Sequence, residues 1–328
     1  MYNAKKTRCI NQSSSLNVGV EMTLLIPCLY SVPVVCSTRF HTLDALIPCL
    51  QVNVAAADRR QALLVLNNLC IPSENKRTIL LGPSRDELLL AMLQVLVQKL
   101  PECHLVVACL FNLSFYGEAK GVLLNYVPAV SLQHSGEETP EEYSFSKPTD
   151  KKDSFLRILE QVTNEFVPYY VKHKNDTKYD DPKRQKAQPM TVEASTLRWT
   201  FCLLRNLASD PEHAILLATT TRFPQAALEV LQAVSRHTTD LSQWSHDSLP
   251  EACLVFWVWL VQSSPEVSRH LHKVFGQDEE LSAVKILEPI TLQPGIQGVR
   301  AKMVSNSLRG DHVTDPTLED KLATMASF

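Results

Sequence analysis

The sequence has little glycine and lacks the short motifs that mark common enzymes. Only 9 of its 328 residues are glycine. It contains no glycine-rich phosphate loop, no Gly-x-Ser-x-Gly elbow and no His-Glu-x-x-His pair. Cys103 and His104 are adjacent, and His270 and His272 are two apart, but neither pair has further partners at metal-ligand spacing. These absences predict a protein that is not an enzyme and needs no cofactor or metal.

Long hydrophobic runs and a strong net charge are also missing. The apolar stretch over residues 16–36 is interrupted by Glu21, Pro27 and Pro33, which leaves too short a run to span a bilayer. The formal net charge of -3 provides no bulk attraction for DNA or for an anionic membrane. We therefore expect neither a membrane nor a nucleic acid as partner.

The cysteines indicate the cellular compartment. There are 9, an odd number, and Cys70, Cys109, Cys202 and Cys253 lie inside apolar runs, where a reduced thiol behaves as a small hydrophobic group. The basic residues near the N-terminus are separated from the apolar stretch by a polar one, which is not typical of a signal peptide. These features predict a cytoplasmic protein, with the nucleus as the alternative.

The strongest positive signal is a phrase that occurs three times. Leu66-Asn67-Asn68-Leu69, Leu110-Phe111-Asn112-Leu113 and Leu204-Arg205-Asn206-Leu207 each close an apolar stretch and precede a polar turn. The 44 residues from Asn68 to Asn112 fall within the length of known helical repeat units. Because glycine is scarce and leucine and alanine are abundant, the units are expected to be helical.

The spacing of the phrases divides the chain. The longer interval from Asn112 to Asn206 is interpreted as one unit that carries polar loops at about residues 131–150 and 172–190. A degenerate fourth unit follows at 249–274, where Trp259 replaces the asparagine. We expect a repeat domain over residues 41–290, a poorly ordered or atypical N-terminal segment at 1–40, and a flexible C-terminal tail at 291–328 with one short helix.

The segment RRQALLVLNNLCIPSENKRTILL, residues 59–81, resembles the third helix, polar turn and next helix of an armadillo repeat, and residues 103–124 and 196–218 repeat it. The resemblance covers about residues 41–290. It implies an all-α fold, an armadillo-like right-handed α-solenoid of three-helix units whose third helices line a concave groove. In that family the groove binds extended peptides or partner domains.

The resemblance also implies site residues. By position, Asn68, Asn112 and Asn206 match the asparagine that holds a partner's backbone in well-known members, and an amide can donate to a carbonyl and accept from an N–H. The alternative is that each asparagine braces the turn after its own helix. The tryptophan of nuclear-import receptors, one turn earlier, is replaced by Leu64, Ala108 and Cys202. We therefore do not expect recognition of nuclear-localisation signals.

Further candidates lie on the same helices. Arg60, His104 and Arg198 each precede their asparagine by eight residues. They form either a basic stripe that reads an acidic peptide or simply solvated helix starts. Trp257 and Trp259 flank one residue of an apolar helix and should point to different sides, so at least one is core and the other is a candidate for a partner contact.

The function predicted from these features is a non-catalytic protein-binding scaffold or adaptor for a protein or peptide partner. The alternative is a substrate-selecting regulatory subunit or fragment of a ubiquitin ligase, because the phrase LNNLCIPSENK is also similar to the armadillo repeats found beside U-box domains.

Overall fold

The computed structural model describes residues 42–128, 154–176, 190–235, 248–276, 282–293 and 295–309. All regular structure within these ranges is helical, and they contain no β-strand. The predicted all-α class is therefore confirmed. The predicted N-terminal segment 1–40, the loop at 131–150 and most of the loop at 172–190 lie outside the described residues.

Fourteen α-helices occur in the described part of the chain. In chain order they are α1 (Thr42–Leu46), α2 (Ala56–Leu69), α3 (Ser73–Leu81), α4 (Arg85–Val97), α5 (Cys103–Leu113), α6 (Gly117–Leu124), α7 (Phe155–Asp176), α8 (Val192–Leu207), α9 (Pro211–Thr220), α10 (Phe223–Ser235), α11 (Ser248–Ser263), α12 (Pro265–Leu271), α13 (Ala283–Thr291) and α14 (Ile296–Arg309). A 3₁₀ turn, Ile47–Leu50, follows α1, and a π-helical turn, His272–Gly276, follows α12.

Helices from successive units pack side by side in rows. In the first row α2 packs on α5, α5 on α8, α8 on α11 and α11 on α14. In another row the 3₁₀ turn packs on α4, α4 on α7, α7 on α10 and α10 on α13. The remaining helices pair as α3 with α6 and α9 with α12. The rows thus bring together side chains from helices that are not consecutive in the chain.

The leucines of the repeated phrase form the buried side of the first row. Leu66, Leu69, Leu110, Leu113 and their counterparts in α8 are all buried. Their three-residue spacing places them on one side of each helix. Full burial of a leucine contributes roughly 2 kcal/mol, so this repeated pair stabilises every unit.

Helix caps build the polar turns after α8 and α11. Asp210 Oδ1 accepts hydrogen bonds from the backbone N–H of Glu212 at 3.0 Å and of His213 at 3.3 Å. Ser264 Oγ accepts from the N–H of Val267 at 3.2 Å. Both helices that follow begin with proline, whose missing N–H costs nothing at that position. The chain therefore leaves the first row in a defined direction.

A buried ion pair fixes the N-terminal end of the stack. Arg59 Nε donates to Glu102 Oε2 at 3.1 Å, and both side chains are only 4% exposed. Arg59 Nη1 also donates to the carbonyl oxygen of Val54 at 2.8 Å and of Val52 at 3.3 Å. One guanidinium thus holds the turn before α2 against the start of α5. No pattern in the sequence predicted this pair.

Two predicted boundaries are wrong. Helix α7 runs to Asp176, past residue 172, where a loop was expected. A helix was predicted in the C-terminal tail, but α14 spans 14 residues and packs against α11 and α13, so residues 296–309 are not a flexible tail. Its Ala301, Val304 and Leu308 recur at helical spacing and are buried. Gly298 permits the close packing of its first turn, since a Cβ there would overlap the carbonyl oxygen of Gln293.

Candidate functional site

The first-row helices share one surface, formed by their side chains that are not buried in the core. We call it the first-row surface. Its partly or fully exposed members include Arg60, Asn67, Asn68, His104, Phe111, Asn112, Phe115, Arg198, Trp199, Cys202, Arg205, Asn206 and Trp259.

The predicted asparagine column makes hydrogen bonds between units. Asn112 Nδ2 donates to Asn67 Oδ1 at 2.9 Å, which joins α5 to α2. Asn206 Nδ2 donates to Ser114 Oγ at 3.1 Å, which joins α8 to the end of α5. Asn68, the residue aligned with these two in the sequence, is exposed instead, and its side chain makes no hydrogen bond within the described residues. The structural partner of Asn112 is therefore Asn67 and not Asn68.

Bracing of a turn is performed by a different asparagine. The alternative interpretation was that each asparagine of the column braces the turn after its own helix. In the first unit Asn75 does this: it is buried, and its Nδ2 donates to the carbonyl oxygen of Leu69 at 3.0 Å. This satisfies a carbonyl at the end of α2 that has no partner within the helix. The sequence did not single out Asn75, because no equivalent asparagine follows the other two phrases.

Aromatic rings from α5 and α8 meet on the first-row surface. The ring centroids of Phe111 and Trp199 are 5.3 Å apart, and those of Phe111 and Phe115 are 5.0 Å apart with their planes at 76°. Edge-to-face and tilted contacts at these distances are favourable. The three rings thus form a continuous aromatic patch that the sequence did not predict.

Three cations lie over these rings. Arg198 Cζ is 4.9 Å from the centroid of Trp199, Arg205 Cζ is 5.9 Å from that of Phe111, and Lys76 Nζ is 5.4 Å from that of Phe115. These distances are typical of cation–π contacts. We call the set the aromatic–cation cluster; its members are Phe111, Phe115, Trp199, Lys76, Arg198 and Arg205.

Asn206 also positions an arginine of this cluster. Its Oδ1 accepts from Arg205 Nε at 3.3 Å and from Nη2 at 3.2 Å. Since its Nδ2 donates to Ser114, the amide is held on both sides. The guanidinium of Arg205 is consequently fixed between Phe111 and Asn206, and its Nη1 makes no hydrogen bond within the described residues. The column asparagine thus holds an arginine in place.

The predicted basic stripe contains only two permanent cations. Arg60 is exposed, whereas His104 is half-buried and its Nδ1–H donates to the carbonyl oxygen of Pro101 at 3.1 Å. Burial lowers the pKa of His104 below its usual 6.5, and the charge of Arg60 lowers it further. His104 is therefore mostly neutral at pH 7, and Arg198 belongs to the aromatic–cation cluster.

Cys202 occupies the surface between two arginines. Burial raises the pKa of its thiol, and the charges of Arg205 and Arg198 oppose this effect. The thiol is therefore protonated at neutral pH. The side chain at this position is therefore small and uncharged, whereas nuclear-import receptors carry a tryptophan there.

The two tryptophans of α11 point to different sides, as predicted. Trp257 is fully buried, and its Nε1–H donates to the carbonyl oxygen of Pro224 at 3.2 Å. Trp259 is 40% exposed and lies on the first-row surface. Trp257 is thus core, and the ring of Trp259 is partly exposed to solvent.

A separate pocket lies between the start of α4 and the end of α6. Its volume is about 350 Å³, and its lining residues are Arg85, Asp86, Val122, Asn125, Tyr126 and Val127. The hydroxyl of Tyr126 donates to the carbonyl oxygen of Asp86 at 2.9 Å. Burial and the nearby Asp86 raise the pKa of Tyr126 to about 12, so the phenol remains a donor. No pattern in the sequence indicated this pocket.

The described residues contain no group of three or more histidine, cysteine or acidic side chains arranged to hold a metal ion. Likewise, none of the helices in the described ranges is long and apolar enough to cross a membrane.

Comparison with known proteins adds no family assignment. No protein-family model matches the sequence, and the search of curated proteins finds no significant match. Any function must therefore be argued from the packing of the helices and from the first-row surface.

Proposed function

We propose that the chain is an armadillo-like α-solenoid that acts as a non-catalytic scaffold or adaptor in the cytoplasm or nucleus. It binds a peptide or a partner domain along the first-row surface. The repeated phrase supports this proposal, and so does the packing of α2, α5, α8 and α11 in one row. Such a row offers a partner similar side chains at regular intervals.

The observation that carries the proposal is the exposure of aromatic residues on that surface. Phe115 is 56% exposed and Trp259 is 40% exposed. Aromatic and arginine side chains dominate the binding energy of protein interfaces, because they bury a large area when a partner covers them. The first-row surface has both kinds of residue, from the turn after α5 to α11.

Asn68 adds a polar contact to this surface. It is the one member of the predicted column whose side chain makes no hydrogen bond within the described residues, and it is exposed. An amide in that state can donate to a partner's carbonyl and accept from its N–H at the same time. Asn68 is therefore the member of the column to which we assign the backbone contact.

The test is affinity capture with mass spectrometry, comparing the wild type with an Asn68→Ala, Phe115→Ala, Trp259→Ala variant. A matched control, Tyr169→Ala with Leu292→Ala, removes exposed apolar side chains elsewhere. Circular dichroism checks that all three proteins are folded. We expect the first variant to lose a set of partners that the wild type and the control retain.

The result against the proposal is a first-row variant that captures every partner seen with the control. The same samples distinguish the ubiquitin-ligase alternative, since that function requires ubiquitin-conjugating activity to co-purify with the wild-type chain.

A further inference from the structure

We propose that the partner segment is an acidic peptide that presents two carboxylates, with an apolar residue between them, to Arg198 and Arg205. This inference rests on the proposed function and specifies the chemistry of its partner.

The aromatic–cation cluster carries uncompensated positive charge. Within the described residues Arg198, Arg205 and Lys76 form no ion pair, whereas Arg59 and Arg157 each pair with a glutamate. Glu251, whose charge acts on Cys202, accepts from Arg300 Nη1 at 2.9 Å. The cluster therefore attracts an anionic partner even though the whole chain carries a formal charge of -3.

The guanidinium groups of Arg198 and Arg205 are held in place before any partner binds. Arg205 is fixed by Phe111 and Asn206, and Arg198 is stacked on Trp199. A side chain that is already ordered loses less entropy on binding, and a planar guanidinium can donate two parallel hydrogen bonds to one carboxylate. These are features of a carboxylate-binding group.

The contacts between the arginines and the aromatic rings favour an acidic peptide over a nucleic acid as the partner. Bases would bind by stacking on aromatic faces. Here Arg198 covers a face of Trp199, Arg205 covers one of Phe111, and the two rings also contact each other. A base that stacked on these rings would displace the two arginines. A carboxylate would leave the cation–π contacts in place and accept hydrogen bonds from the guanidinium N–H groups that point outward.

The spacing of the arginines sets the spacing of the acidic residues. Arg198 and Arg205 are seven positions apart on α8, which corresponds to about 10 Å along a helix. A peptide in the polyproline II conformation covers about 9 Å in three residues, and its side chains three positions apart lie on the same side. We therefore expect acidic residues three positions apart, with an apolar residue between them that packs on Trp199 and Phe111.

The test is selection from a phage-displayed library of random peptides on the full chain, followed by fluorescence anisotropy with the enriched peptides. We expect peptides with two acidic residues about three positions apart and an apolar residue between them. The Arg198→Gln, Arg205→Gln variant should bind them about a hundredfold more weakly, since each charged hydrogen-bonded pair is worth about tenfold or more.

Two controls make the result specific. Arg77→Gln with Arg269→Gln removes the same total charge at exposed positions of α3 and α12, outside the first row, and should leave the affinity unchanged. Arg198→Lys with Arg205→Lys keeps the charge but not the planar fork, and should give an intermediate affinity.

Several outcomes would overturn the inference. Enrichment of basic or neutral peptides, or equal binding by the glutamine variant, would exclude the acidic class. If those peptides still required Asn68, Phe115 and Trp259, the proposed function would stand while this inference failed. Failure to select any peptide, or displacement of the enriched peptide by single-stranded RNA, would also count against it.

Discussion

Asn112 Nδ2 donates a hydrogen bond to Asn67 Oδ1 at 2.9 Å across the boundary between two successive units. The two residues are 45 positions apart in the chain, and their side chains meet because α5 packs on α2. An amide pair of this kind fixes the register of one first-row helix against the next.

Asn112→Ala tests this inter-unit bond. Loss of a half-buried hydrogen bond should lower the free energy of unfolding by about 1 kcal/mol. Asn68→Ala is the matched control and should change it by less than about 0.5 kcal/mol, because Asn68 is exposed. Urea unfolding followed by circular dichroism measures both. Equal destabilisation by the two changes would refute the assigned role of Asn112.

The buried pair of Arg59 and Glu102 predicts a larger effect. Arg59→Met leaves the Glu102 carboxylate buried without its cation and should cost about 3–5 kcal/mol of unfolding free energy. The double change Arg59→Met, Glu102→Leu should recover part of this loss, because no buried charge then remains. The single variant Glu102→Leu is the reference. If adding Glu102→Leu to Arg59→Met lowers the free energy of unfolding by as much as Glu102→Leu does alone, the two residues are not coupled.

His104 predicts a dependence of stability on pH. Its pKa is lowered in the folded protein, so between that lowered value and about 6.5 the unfolded chain binds more protons. The free energy of unfolding should therefore fall as pH falls below 6.5, and the effect should be absent above it. Comparing wild type with His104→Asn at pH 8 and pH 5.5 isolates this contribution. Identical pH dependence in the two proteins would show that His104 makes none.

Cys202 predicts slow thiol chemistry. Because burial raises its pKa, little thiolate forms at pH 7.5, and the thiolate is the reactive species. Alkylation by iodoacetamide, followed at the Cys202 peptide by mass spectrometry, should be at least about tenfold slower in the folded protein than in urea. Equal rates would mean that the arginines and not burial control this thiol.

The sequence predicted features that depend on local repetition. The spacing of the leucines in the phrase predicted helices with one buried side, and Leu66, Leu110 and Leu204 are buried as expected. The opposite orientations of Trp257 and Trp259 followed from their separation on one helix. These features can be predicted from the period of a helix alone.

Features that depend on contacts between distant units could not be predicted in this way. The rings of Phe111 and Trp199 occupy different positions relative to their phrases, so alignment of the repeats does not bring them together. The pair of Arg59 and Glu102 likewise depends on how α2 packs against α5. The sequence predicted one short helix in the C-terminal segment, but the packing of α14 depends on its contacts with α11 and α13.

The most direct test of the first-row surface as the binding site is photo-crosslinking. A peptide selected by the full chain would carry a benzophenone at its apolar position, and mass spectrometry would identify the residues to which it becomes attached. The account predicts attachment to α5 and α8, near Phe111 and Trp199. Attachment at the pocket beside Tyr126, or on the row that contains α4 and α7, would contradict it.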